Sequence, residues 1–163
     1  MNELPIRKPH RLKDYDYRQN GAYFVTLCIK NRREILGNIV GATVPGRPCM
    51  ELSEIGKVVD SAIKHYQENL DGVVFERYVI MPNHVHAIIV IRSETGDRGR
   101  SPLQNIVRHL KSYVTKKIGF SPWQKSFHDH VIRNEEDYMS VAEYIENNPL
   151  NWKQDCFFVN ENA

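Results

Sequence analysis

The sequence predicts an α+β fold with a ferredoxin-like layout, in which an antiparallel sheet of about four strands has helices packed on one face. Segments with strand-like and helix-like apolar patterns follow one another in the order strand, helix, two strands, helix, strand, helix. The two middle strands meet at Pro82-Asn83, which favours a tight antiparallel turn. A length of 163 residues, with no repeat and no long linker, favours a single domain over 1–163.

The first half of the chain is predicted to hold an arm, a strand, an excursion and a helix. Residues 1–19 are expected to form an extended N-terminal arm, and Gly21 to Lys30 has the composition of a first strand. Residues 37–52 contain three glycines and two prolines, which predicts an irregular excursion or a small hairpin. Ser53 is a candidate N-cap, because apolar residues follow it at helical spacing.

The second half begins with the two middle strands, over 73–80 and 85–91, both rich in β-branched residues. A polar loop follows. Ser101 at the N-cap position, Pro102 at the first helical position and a glutamine two residues further on predict a helix start. The apolar stripe of this helix continues to Ile118.

A short strand and a last helix are predicted to complete the fold. The strand covers 127–132, and Asn134 is placed to cap the helix that follows it. Three acidic residues in the first turn interact favourably with the helix dipole and stabilise the helix. Pro149 ends the helix, so 150–163 are expected to form a C-terminal tail.

Composition excludes several classes of protein. Charged residues make up 26% of the chain and hydrophobic residues 41%, which is ordinary for a globular domain. No apolar stretch approaches the roughly 20 residues that a membrane helix needs, and the N-terminus has no apolar signal segment. The three cysteines are widely spaced and odd in number, which favours a reducing compartment over a disulfide framework. A cytoplasmic protein without a membrane partner is therefore expected.

Charge is unevenly distributed along the chain. Residues 98–128 carry seven Lys or Arg and no acidic residue, whereas seven acidic residues follow from Glu135 onward with one lysine. Arg108, Lys111 and Lys116 fall on the polar side of the predicted helix that begins at Pro102. This face is either an anion-binding surface or an ordinary solvated helix face.

His84 directly precedes the predicted strand over 85–91, and His86 is its second residue. Residues two apart on a strand point to the same face, about 6.6 Å apart along the chain. Both imidazoles can therefore converge on one metal ion, for which imidazole is a common ligand. The alternative is two half-buried histidines satisfied by hydrogen bonds, and two histidines alone do not complete a metal site.

The last helix offers further chemistry. Tyr144 and Asn148 are spaced four residues apart and so share a helix face. Taken singly, each is explained by packing or by the end of the helix. Tyr113 on the preceding helix is a rival nucleophile. It borders the buried stripe of that helix, however, and has no asparagine four residues after it. His128 and His130 alternate on the candidate strand 127–132 and leave open a second metal site, a DNA contact or ordinary packing.

Three motifs in this order resemble the HUH single-tyrosine transposases, specifically the REP-associated tyrosine transposase branch. They are Tyr78 to His86, Trp123 to Glu135, and Tyr144 to Pro149, and the resemblance covers roughly 21–151. It implies that His84 and His86 are metal ligands and that Tyr144 is the nucleophile. Asn148 lies where the family places a third, amide-bearing ligand.

The resemblance implies an enzyme that cuts and rejoins single-stranded DNA, with hairpins near its sites, through a 5′-phosphotyrosine intermediate. The expected cofactor is a divalent ion, Mg²⁺ or Mn²⁺, which can polarise the scissile phosphate. A site acting on one strand should hold single-stranded DNA by charge and stacking, and Arg108, Lys111 and Lys116 are the candidate backbone contacts. Relatives act as monomers or as homodimers, and both remain open here.

Two alternatives remain at this point. The first is a non-catalytic, domesticated DNA-hairpin-binding protein that keeps the fold. The second is an unrelated metal-dependent hydrolase that uses the H-x-H pair on a barrel strand, as cupins do. The second alternative predicts mostly strands and few helices, so the architecture distinguishes it from the other two hypotheses.

Overall fold

A computed structural model of the chain describes residues 20–41, 48–92 and 102–159. In chain order, the strands are β1 (Gly21–Cys28), β2 (Gly37–Val40), β3 (Cys49–Leu52), β4 (Val73–Met81), β5 (His84–Ile91) and β6 (His128–Ile132). The helices are α1 (Glu54–Asn69), α2 (Pro102–Ile118) and α3 (Glu135–Asn147). Short 3₁₀ turns cover Lys30–Arg32 and Trp152–Gln154.

Four of the strands form the central sheet, in the order β4-β5-β1-β6, and all neighbours are antiparallel. The predicted α+β class with a four-stranded antiparallel sheet is thus confirmed. The barrel expected of a cupin-like enzyme is not found, since the described residues form an open sheet flanked by three helices. Within the segment 37–52, the described strands β2 and β3 pair with each other, as the small hairpin requires.

The two faces of the sheet carry different helices. The larger core lies on the face covered by α1 and α2 and includes the odd-numbered residues of β1 and β5. A smaller core lies on the opposite face, where Ala142 and Ile145 of α3 pack against Ile88 and Val90 of β5. The prediction of helices on one face is therefore wrong for α3. Every residue of β5 is buried, so both faces of this strand need a cover.

Two of the predicted helix starts are observed as side-chain caps. The Ser53 hydroxyl accepts a hydrogen bond from the Gly56 amide at 3.0 Å, and the Asn134 side-chain oxygen accepts one from the Asp137 amide at 2.8 Å. The predicted cap Ser101, the arm 1–19 and the last four residues of the tail lie outside the described residues. None of the described helices is both long and apolar enough to cross a membrane.

Candidate metal and nucleophile site

The two histidines lie side by side on β5, on the sheet face that α3 covers. Their ring centroids are 4.4 Å apart. Both point away from the larger core because side chains alternate along the strand. His84 is 0% exposed and His86 is 1% exposed, so the pair is completely buried. Strand periodicity thus predicted their shared face correctly.

The Nδ1 atom of each imidazole is held by a buried neighbour. His84 Nδ1 lies 2.9 Å from Asn83 Oδ1, and His86 Nδ1 lies 2.9 Å from the Thr26 hydroxyl on β1. The Asn83 amide nitrogen donates to two backbone carbonyls, so its oxygen is the acceptor and His84 is the donor. The hydrogen-bond network therefore assigns the proton of His84 to Nδ1, so Nε2 is unprotonated and has a lone pair to offer. Such support is typical of metal-ligating histidines.

Tyr144 reaches the histidine pair from α3. Its hydroxyl lies 3.4 Å from His86 Nε2 and 3.4 Å from a carboxylate oxygen of Asp155. Its ring makes edge contacts with the rings of His86 and Phe24 at centroid distances of 5.2 and 6.0 Å. The side chain is 43% exposed, so one side of the phenol faces solvent.

Asn148 follows α3 directly and lies one helical turn beyond Tyr144. It is 2% exposed, and its amide nitrogen donates to Asp155 Oδ2 at 3.0 Å. Asn148 Oδ1 and His84 Nε2 are both buried without a hydrogen-bond partner. Buried polar atoms normally have partners, so these two atoms are available to a ligand at this position.

The sequence analysis missed Asp155, which the C-terminal tail brings to the site. One nitrogen from each of His84 and His86 and one oxygen of Asp155 all lie within 4.8 Å of one another. Among the residues that the structure describes, this is the group of three or more His, Cys or acidic side chains arranged to hold a metal. No sequence pattern predicted Asp155 as a ligand, because only the fold of the tail brings it to the histidine pair.

Burial dominates the electrostatics of the site. It lowers the pKa of His84 to about 4, while the Asp155 charge and the Asn148 amide oppose the shift. It also holds the pKa of His86 well below its usual value, with a further lowering by His84. Burial raises the pKa of Tyr144 to about 12, and the Asp155 charge adds to this rise. Both imidazoles are therefore neutral at pH 7, which is the form that binds metal.

The C-terminal segment 155–157 closes the site. The Phe157 ring lies 4.6 Å from the His84 ring, and the Phe157 carbonyl accepts from the Asn83 amide at 2.8 Å. The Arg32 guanidinium donates to the Cys156 carbonyl at 3.1 Å. Together with the rings of Phe24, Tyr144 and Trp152, this segment covers the two histidines.

The predicted DNA contacts lie on α2, on the opposite sheet face from Tyr144. Arg108 and Lys116 are exposed there. Lys111 is half-buried, and its ammonium donates to the Gln124 and Ser126 carbonyls, both at 2.9 Å. Burial lowers the pKa of Lys111 to about 8, whereas the two carbonyl acceptors favour its charged form. The structure thus brings His84, His86, Tyr144 and Asn148 together but keeps the three basic residues apart from them.

Tyr113, His128 and His130, the other candidate site residues, lie outside the group formed by the histidine pair, Tyr144 and Asn148. Tyr113 stacks on His65 of α1 at a centroid distance of 5.4 Å, on the face away from the histidine pair. His130 Nε2 lies within hydrogen-bond distance of the Asp137 carboxylate, at 2.9 Å. His128 lies opposite Thr26 in the sheet register, and Thr26 lies opposite His86, so the three residues form one row across β6, β1 and β5.

Comparison with known proteins gives two relatives by sequence, and no family model matches the chain. A Haemophilus influenzae protein described as uncharacterized is 33% identical over 94% of this chain and 93% of its own length. The Escherichia coli REP-associated tyrosine transposase is 25% identical over 82% of this chain and 69% of its own length.

Two solved structures share the fold. One is a REP-associated tyrosine transposase bound to a REP hairpin, with a TM-score of 0.64 and 24% identity over 87% of this chain and 74% of that one. The other is a Deinococcus radiodurans protein provisionally named a transposase, with a TM-score of 0.50 and 15% identity over 84% of this chain and 95% of that one. The match to the first of these structures agrees with the α+β fold class described above.

Proposed function

We propose that this chain, which belongs to one family with the Haemophilus influenzae protein, cuts and rejoins single-stranded DNA through Tyr144. One observation carries the proposal. The Tyr144 hydroxyl lies 3.4 Å from His86 Nε2, beside two buried atoms, His84 Nε2 and Asn148 Oδ1, that lack partners. A nucleophile next to an incomplete ligand set is the arrangement that metal-assisted phosphoryl transfer requires.

The donor set fits a divalent ion. His84, His86 and Asn148 would hold it, and the Asp155 carboxylate is placed to join them. A bound Mg²⁺ or Mn²⁺ would polarise the scissile phosphate and stabilise charge on its oxygens. Two imidazoles suit Mn²⁺ better than Mg²⁺, which prefers oxygen ligands.

Tyr144 would supply the covalent step. Its phenol oxygen forms a bond to phosphorus while the bond from phosphorus to the 3′ oxygen breaks. Overall, the proton passes from the phenol to the released 3′-hydroxyl. The phosphotyrosine conserves the phosphoester bond, so a second 3′-hydroxyl can reverse the step and join two strands.

The substrate would be single-stranded DNA with a nearby hairpin, since one structural neighbour is a transposase bound to a REP hairpin. Arg108 and Lys116 are exposed and remain candidate backbone contacts. They lie on the far sheet face, so they would contact DNA that extends past the edge of the sheet, such as a hairpin stem. Lys111 is a weaker candidate, because its ammonium already binds two carbonyls. The protein would act as a monomer or a homodimer.

A covalent-adduct assay tests the proposal. The protein is incubated with Mn²⁺ and a hairpin-bearing single strand, and products are separated on a denaturing gel. We expect an adduct with the native chain and with Tyr113→Phe, and no adduct with Tyr144→Phe. An adduct that persists in Tyr144→Phe would show the assignment to be wrong. Tight hairpin binding without an adduct under any divalent ion would instead support the non-catalytic alternative.

A further inference from the structure

An open cavity of about 510 Å³ lies beside Tyr144, which forms part of its wall. This volume is in the usual range of small-molecule sites. Of the nine described residues that line it, four carry carboxamides and two carry carboxylates. The carboxamides belong to Asn147, Asn148, Asn151 and Gln154.

The charge of this cavity disfavours a phosphate inside it. Glu143 would repel an anion, and none of the nine lining residues is lysine or arginine. Carboxamides and carboxylates are instead the groups that read base edges by hydrogen bonding. The cavity is therefore built for a neutral group rich in N–H donors rather than for the DNA backbone.

We propose that this cavity receives the nucleobase next to the scissile phosphate and favours a base with an exocyclic amino group over thymine. The inference rests on the proposed function, because a phosphate bonded to Tyr144 puts its own nucleotide at the cavity wall. Adenine, cytosine and guanine each offer an amino group to the Glu143 carboxylate, whereas Asp155 already accepts from Tyr144, Asn148 and the Phe157 amide. Thymine offers one ring N–H, with a carbonyl on each side of it.

Three lining residues would make the selection. Glu143 lies one turn before Asn147 on α3, so both side chains face the cavity from the same side. Asn151 lines the cavity from the segment beyond α3, and its side chain is exposed. Glu143 is the main determinant, since a carboxylate accepts hydrogen bonds and cannot donate them at neutral pH. Asn148 and Asp155, two of the proposed metal ligands, form the part of the cavity wall next to the histidine pair.

A binding assay that needs no cleavage tests the inference. Fluorescence anisotropy measures the affinity of Tyr144→Phe protein for labelled single strands of ten adenines, ten cytosines or ten thymines. We expect thymine strands to bind at least about fivefold more weakly than the other two. Adding Glu143→Gln should reduce this preference to less than about twofold, and Asn151→Ala should reduce it in part. Tyr113→Phe, on the far face of the sheet, is the control and should leave the three affinities unchanged.

Two outcomes would overturn the inference: equal binding of the three strands by the parent protein, or an unchanged preference in Glu143→Gln. Glu143 is exposed, so its replacement by the isosteric glutamine should not affect folding. The adduct assay reports separately on the proposed function. A base preference without adduct formation would refute the cleavage chemistry and leave the base-binding cavity in place.

Discussion

Replacing Thr26 by Val tests whether β1 orients His86 for metal binding. Thr26 is 4% exposed, and its hydroxyl lies 2.9 Å from His86 Nδ1. Valine has the same branched shape and suits a strand, so the change removes little besides the hydrogen bond. The buried imidazole nitrogen then loses its partner, at a cost of about 1–3 kcal/mol in the free energy of unfolding. Loss of a supporting hydrogen bond should also weaken metal affinity about 10- to 100-fold.

Calorimetric titration with Mn²⁺ measures the affinity, and urea denaturation measures the stability. Thr26→Ser is the matched control, because it keeps the hydroxyl and should keep an affinity close to that of the native chain. Native affinity in Thr26→Val would refute the role of the hydrogen bond. An equal loss of affinity in Thr26→Ser would show that packing of the threonine methyl group, rather than the hydroxyl, orients the ring.

Two further predictions concern Asp155 and Lys111. Asp155→Asn should lower Mn²⁺ affinity at least about tenfold in the same titration, because it removes a charged donor, whereas Asp137→Asn should leave the affinity unchanged. Lys111→Met should reduce the free energy of unfolding, measured by urea denaturation, by about 0.5–1.5 kcal/mol, because the hydrogen bonds to the Gln124 and Ser126 carbonyls are lost. Arg108→Ala changes an exposed residue and should alter it by less than about 0.5 kcal/mol. If the two variants were equally stable, the hydrogen bonds of Lys111 would not contribute to the stability of the fold.

Local patterns explain why much of the fold could be predicted from the sequence. The caps at Ser53 and Asn134 and the turn at Pro82-Asn83 depend on neighbouring residues alone, and all three are observed. The position of α3 could not be derived in the same way. An apolar run such as 85–91 shows that both strand faces are covered, but it does not say which helix covers which face.

In the candidate site, too, local periodicity predicts some positions, whereas others depend on the tertiary fold. Strand and helix periods place His84 beside His86, and Tyr144 one turn from Asn148. Asp155 has no such signal, because its position depends on how the chain turns after α3. The basic face of α2 was visible in the sequence, but its location opposite Tyr144 follows from the sheet topology. The roles of these residues in binding and catalysis remain predictions.

The contacts of Asn83 with the C-terminal segment have a consequence for the order in which the site forms. Asn83 binds the carbonyls of Arg32 and Phe157, so it joins an early and a late part of the chain at His84. These contacts have high sequence separation and form only after residue 157 has left the ribosome. A nascent chain shorter than this would lack these contacts, so the site around His84 can close only once residue 157 has been made.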